Sequence, residues 1–179
     1  MRVLTIPNIV TFIRIVLIPV FVIALVYRMY GYALGLFAFA SVTDAFDGIL
    51  ARLTNQKTQL GAFLDPLADK FLLITSFILF SLYGWIPTWL TITVISRDLI
   101  VTLGWFLLYL IYHIAKVEPS LIGKTAIASQ LLLIAYTLLS VNLGSVQPPG
   151  YLVLWVVAVL TIASGLQYIY RGLRHAGEK

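Results

Sequence analysis

The chain alternates between long apolar runs and short breaks. Apolar runs occupy residues 7–28, 31–52, 63–83, 86–112, 121–142 and 150–170. Each is close to the roughly 20 residues that a bilayer-spanning helix needs. Three of the breaks are rich in aromatic, Gly or Pro residues: Tyr30-Gly31, Tyr83-Gly84-Trp85-Ile86-Pro87 and Gln147-Pro148-Pro149-Gly150. They predict tight hairpins at one membrane interface, where aromatic rings sit at the level of the head groups. On the other side lie Arg2, the 53–62 linker with Lys57, the 113–120 linker with Lys116, and a tail with Arg171, Arg174 and Lys179. The hairpin side contributes only Arg28. The positive-inside rule then places both termini and the longer linkers in the cytoplasm. The pattern predicts an all-α integral membrane protein, a single domain over residues 1–179, with six transmembrane helices around a polar cavity facing the cytoplasm.

Composition strengthens this reading. The 179 residues are 61% hydrophobic and 11% charged, against roughly 25% charged in soluble domains, and the mean hydropathy is +1.00. The first run opens on Ile6-Pro7-Asn8 without an Ala-x-Ala-like cleavage site after it, so it reads as a retained span. There is no cysteine, which excludes disulfides, thiolate nucleophiles and cysteine metal sites. The net charge of +5 is accounted for by basic residues facing anionic lipid head groups, and points to membrane lipid as a partner rather than nucleic acid.

Against this background, four of only seven acidic residues fall between positions 44 and 69. Ionisable residues at membrane depth are costly and mark functional sites. Asp44, Asp47, Gly48, Ala51 and Arg52 stand at i, i+3, i+4, i+7 and i+8, one helical stripe. Gly61, Asp65 and Asp69 form a second. In the predicted topology both stripes lie at the cytoplasmic ends of consecutive helices. Carboxylates that converge repel one another unless cations separate them. A set made only of oxygen donors suits hard divalent ions, Mg²⁺ or Mn²⁺. Four carboxylates can hold two ions roughly 3.5–4 Å apart, the arrangement used in in-line phosphoryl displacement. Gly48 and Ala51 leave room for a substrate, and Arg52 can clamp a phosphate oxygen. The plainer reading makes Asp65 a helix N-cap ahead of Pro66 at the first helical position, with Asp44 and Asp47 paired to Arg52 or Lys70.

The pattern Asp44-x2-Asp47-Gly48-x2-Ala51-Arg52-x8-Gly61-x3-Asp65-x3-Asp69 resembles, at every fixed position, the defining motif of the CDP-alcohol phosphatidyltransferase family. Ile6-Pro7-Asn8-Ile9-Val10-Thr11-Phe12-Ile13-Arg14 is similar to the opening of the first span in that family. The segment from Gly61 to Lys70 resembles the bacterial branch that makes phosphatidylglycerophosphate. The resemblance covers most of residues 4–135. It implies six transmembrane helices, commonly in a homodimer, and two divalent cations. It also implies transfer of a phosphatidyl group from CDP-diacylglycerol to a polar alcohol, with release of CMP. By motif, Asp44, Asp47 and Asp65 are metal ligands, and Asp69 completes the metal site and serves as general base. Asn8, Thr11, Gly48, Ala51, Arg52, Thr58 and Gly61 are expected to border the CDP-lipid. The implied location is a bacterial cytoplasmic membrane, or a mitochondrial inner membrane if the source is eukaryotic.

Outside the motif, Arg97 lies deep in the fourth run and Lys124 opens the fifth. Both are candidates for an acceptor phosphate. Neighbouring helix residues point in different directions, so Arg97 need not pair with Asp98; the plainer reading pairs it with Asp98 or with another acid on a neighbouring helix, and lets Lys124 snorkel to lipid phosphate. Arg97-Asp98, without a further Arg in the same run, departs from the phosphatidylglycerophosphate branch. Together with Glu118-Pro119-Ser120-Leu121-Ile122-Gly123-Lys124, it looks like the cardiolipin synthases of the same superfamily, which use phosphatidylglycerol as acceptor. Glycerol 3-phosphate is the first choice of acceptor. Hydrolysis by water is a rival within the same chemistry, and a cation channel or transporter is a rival from another class. His113 and His175 have no Ser or Cys partner at a catalytic spacing.

Overall fold

A computed structural model describes residues 6–54, 59–112, 120–144 and 149–177; within the helices, the side chains of 6–12, 14, 44–54, 59–69, 108–109, 111–112, 173 and 175–177 lie outside that description. Six α-helices follow one another: α1 (Ile6–Val26), α2 (Tyr30–Thr54), α3 (Gln59–Leu82), α4 (Thr88–Tyr112), α5 (Leu121–Asn142) and α6 (Tyr151–Gly177). No strand occurs among the described residues. Each helix falls on one of the six predicted runs. The largest differences are that α3 begins at Gln59 instead of 63 and that α6 continues to Gly177. In α6 the apolar run has ended by Arg171 while the helix has not, because Arg, Leu and Ala are good helix formers.

Three helices end on residues in the left-handed region: Arg28 at φ 59°, Gly84 at φ 73° and Gly144 at φ 70°. At the first two, the chain closes a Schellman motif. Met29 N–H donates to the Ala24 carbonyl at 2.8 Å and Arg28 N–H to Leu25 at 3.0 Å; Trp85 N–H donates to Phe80 at 2.8 Å and Gly84 N–H to Ser81 at 3.1 Å. These bonds satisfy carbonyls that a helix end would leave open. Glycine adopts this conformation freely, whereas Arg28 carries a Cβ into it. Arg28→Gly is therefore expected to raise stability by about 1 kcal/mol, measured as a shift in the unfolding midpoint of the purified protein.

The chain divides into two units, Met1–Ser76 with Ala135–Gln147, and Phe77–Ile134 with Pro148–Lys179. In the first, α1 packs on α2. Phe21, Ala24 and Leu25 are buried at i, i+3 and i+4, and Ala33, Phe37 and Ala40 face them at i, i+4 and i+7. The Phe21 and Phe37 rings lie 6.3 Å apart, and the three alanines let the backbones approach closely. In the second unit, α4 packs along α6 in parallel. Trp89 meets Trp155 at 5.2 Å near the start of both helices. Leu90, Val94, Leu154 and Val157 are buried within about two turns of this contact.

The outward faces are as apolar as the core. On α4, Ile92, Leu99, Leu103, Phe106 and Leu110 are all exposed; on α6, Leu152, Val156, Val159, Ile162 and Leu166 are too. Two full-length apolar stripes of this kind far exceed what a water-soluble monomer shows, and they identify an integral membrane protein. Thr88–Leu107, Leu121–Asn142 and Tyr151–Gly172 are each long and apolar enough to cross a bilayer. The first three helices contribute the apolar segments Ile15–Val26, Tyr30–Thr43 and Lys70–Leu82.

Candidate functional site

The acidic motif falls on two unbroken helices. Asp44, Asp47, Gly48, Ala51 and Arg52 lie on α2, and Gly61, Asp65 and Asp69 on α3. Helical backbone through both segments keeps the i, i+3 and i, i+4 spacing that puts each acid pair on one face. It also removes the plainer reading of Asp65-Pro66. Pro66 lies well inside α3, which starts at Gln59, so Asp65 is not an N-cap and Pro66 is not the first helical residue. An interior proline leaves a helix carbonyl without its usual donor, a cost with no capping role to offset it. The side chains of Asp44, Asp47, Asp65 and Asp69, and those of Asn8, Thr11, Ala51 and Arg52, lie outside the described residues, as do the surroundings of Gly48 and Gly61. Thr58 lies outside them entirely. As a donor set, four carboxylates without a thiolate fit a hard divalent cation.

The residues of the second polar cluster lie among those described. Arg97 and Asp98, both buried, sit midway along α4. Arg97 Nη1 donates to Asp98 Oδ1 at 2.7 Å. The plainer sequence reading of Arg97, a pairing with the neighbouring acid, is thus present: the length of the arginine side chain brings its head back to an adjacent carboxylate despite the different directions of the two Cβ atoms. Arg97 also reaches α6. Nε donates to Ser164 Oγ at 3.0 Å, and Nη2 donates to the same oxygen. Among the described residues, these contacts use three of the five guanidinium N–H groups. One remains on each terminal nitrogen.

One glycine makes space for this arginine, and a second lies against its head. A Cβ on Gly165 would lie 3.3 Å from Arg97 Cγ, and one on Gly123 would lie 3.6 Å from Nη2 and 3.8 Å from Ser164 Oγ. Gly123 is held in place by a helix cap, since its N–H donates to Ser120 Oγ at 2.9 Å while Lys124 N–H donates to the Ser120 carbonyl at 3.1 Å. Lys124, the other candidate acceptor residue, is exposed beside this cap, and among the described residues its ammonium has no carboxylate partner. One turn from Ser164, the buried pair Gln130 Nε2 and Thr161 Oγ1 meet at 2.9 Å and tie α5 to α6. Ser164, Gly165 and Thr161 escaped the sequence reading. Their signal was there: Thr161, Ser164 and Tyr168 recur at i, i+3 and i+7, starting in a stretch of the helix that is otherwise aliphatic over 156–163.

A helical membrane protein with an acidic stripe on each of two successive helices, and a buried arginine braced against α6, carries ionisable groups within apolar helices, which marks a functional site. The family follows from comparison with known proteins. The model of the CDP-alcohol phosphatidyltransferase family matches residues 4–163, and the chain belongs to that family. It is 34% identical over 184 residues to the probable phosphatidylglycerophosphate synthase of Mycobacterium tuberculosis, covering 98% of this chain and 85% of that one. It is 36% identical over 170 residues to the CDP-diacylglycerol–glycerol-3-phosphate 3-phosphatidyltransferase of Escherichia coli, covering 92% of each. The protein of that name from Shigella sonnei matches to the same extent.

Proposed function

We propose that this chain transfers the phosphatidyl group of CDP-diacylglycerol to glycerol 3-phosphate, forming phosphatidylglycerophosphate and CMP. The observation that carries this is the eight-position acidic motif on α2 and α3. The names of the relatives, which match nearly the whole chain, support the choice of acceptor. All of residues 1–179 act as one catalytic domain. The six helices span the membrane, with the polar site open to the cytoplasmic side, as the distribution of Lys and Arg supports. The membrane is a bacterial cytoplasmic one, and the active form is a homodimer.

In the reaction, the glycerol hydroxyl oxygen attacks the phosphorus next to diacylglycerol. A new P–O bond forms as the bond to the bridging oxygen breaks, and CMP leaves with that electron pair. Asp69 takes the hydroxyl proton; positioned general bases typically contribute 10²–10⁴-fold. Arg52 and Thr58 hold the diphosphate, Asn8 and Thr11 border the nucleotide, and Gly48, Ala51 and Gly61 leave clearance for it. Asp44, Asp47, Asp65 and Asp69 would hold two Mg²⁺ or Mn²⁺ ions, which when bound neutralise the diphosphate and stabilise the leaving CMP. Arg97 and Lys124 receive the acceptor phosphate.

The test is CMP release by purified protein from CDP-diacylglycerol, with glycerol 3-phosphate, phosphatidylglycerol, inositol phosphate, serine or water as acceptor. Release dependent on glycerol 3-phosphate is expected, falling to background with EDTA and returning with excess Mg²⁺ or Mn²⁺. A preference for phosphatidylglycerol would reassign the acceptor. Release without any acceptor would indicate hydrolysis. Cation flux into liposomes without a CDP-lipid would replace the enzyme reading with a transporter.

A further inference from the structure

The way Arg97 is held differs from that of a purely structural ion pair. The Nε/Nη2 edge of a guanidinium matches a carboxylate bidentately, and buried structural arginines commonly use it so. Here that edge is given to one neutral oxygen, Ser164 Oγ, and the carboxylate of Asp98 takes only Nη1. A second acid in place of Ser164 would leave the cluster net negative and repel an incoming phosphate. A hydroxyl holds the edge without adding charge. The stem is constrained as well: it passes over the bare backbone of α6 at Gly165, and the head meets α5 at Gly123. At Gly165 a methyl group would press on the arginine stem; at Gly123 it would meet Nη2 and Ser164 Oγ at ordinary contact distance and press instead on the cap oxygen of Ser120.

We propose that Ser164 is a positioning residue: it fixes the guanidinium of Arg97 so that the remaining N–H groups on Nη1 and Nη2 present to the oxyanion of the acceptor. The proposal rests on the reading of Arg97 as part of the acceptor site. A long flexible arginine loses rotamer freedom when it binds an anion, and a braced one has already lost it. Removing the brace weakens acceptor binding and leaves the CDP-lipid end of the site and the chemical step in place.

The experiment compares the full-length protein with Ser164→Ala, Ser164→Thr and Gly165→Ala. KM for glycerol 3-phosphate, KM for CDP-diacylglycerol and kcat are measured for each. Ser164→Ala is expected to raise KM for glycerol 3-phosphate roughly tenfold, the scale of one hydrogen bond to a charged group, with the other two constants within about twofold. Ser164→Thr, which keeps the hydroxyl, is expected to restore the acceptor KM. Gly165→Ala keeps Ser164 and presses on the stem, which must give by a few tenths of an ångström, so the same constant is expected to rise; it serves as the second test if Ser164→Ala does not fold. An unchanged acceptor KM in the folded variants, or a fall in kcat with both KM values rising together, overturns the positioning role. A wild-type protein that releases no CMP overturns the enzyme reading itself, a separate failure from either.

Discussion

Asp69→Asn is expected to lower CMP release by about 10²–10⁴-fold with little loss of stability. Asparagine has nearly the volume of aspartate and keeps one oxygen donor, so the helix and much of the ligand set survive, but the amide does not accept the hydroxyl proton. The change lies in the last acidic position of the motif, on α3. Two measurements separate its effects. CMP release gives the loss of rate, and thermal unfolding with and without Mg²⁺ shows whether ion binding remains. A severe loss is expected in the first and a retained metal-dependent shift in the second. Full activity in Asp69→Asn would remove Asp69 as the base.

The second large effect concerns Arg97 and Asp98. Arg97→Leu leaves Asp98, only 4% exposed, as a buried carboxylate without its 2.7 Å partner. Breaking a buried pair from one side costs about 3–5 kcal/mol, whereas replacing both partners with apolar groups is often close to neutral. Arg97→Leu is thus expected to destabilise the protein strongly, and Arg97→Leu with Asp98→Leu to recover most of the loss. Recovery of stability is expected without recovery of glycerol 3-phosphate binding. Denaturant unfolding checks the first statement and the acceptor KM of the double variant the second. A double variant with normal acceptor KM would reduce Arg97 to a structural role.

The helices and the acidic motif were legible in the sequence because both are local. Apolar length set the six runs, and helical spacing placed Asp44 with Asp47 and Asp65 with Asp69 on α2 and α3. What local pattern left undecided was Asp65-Pro66, whose cap reading ended once α3 was seen to begin at Gln59. The surroundings of Arg97 were illegible for a different reason. Ser164 lies 67 positions away in the chain, and its relation to Arg97 depends on the register in which α6 packs along α4. The glycines at 123 and 165 carry meaning only through what a Cβ would strike. Adjacency in sequence also misled in one respect: Arg97 and Asp98 diverge at Cβ, yet meet at their ends because the arginine is long enough to turn back.

The most direct test follows radiolabelled glycerol 3-phosphate incubated with purified protein, CDP-diacylglycerol and Mg²⁺, with lipid-soluble label and CMP measured in the same reaction. Label is expected to enter the lipid phase as phosphatidylglycerophosphate in one-to-one proportion with CMP, and neither product is expected to form with Asp69→Asn above its residual rate. CMP released while the label stays in the aqueous phase would contradict transfer to glycerol 3-phosphate.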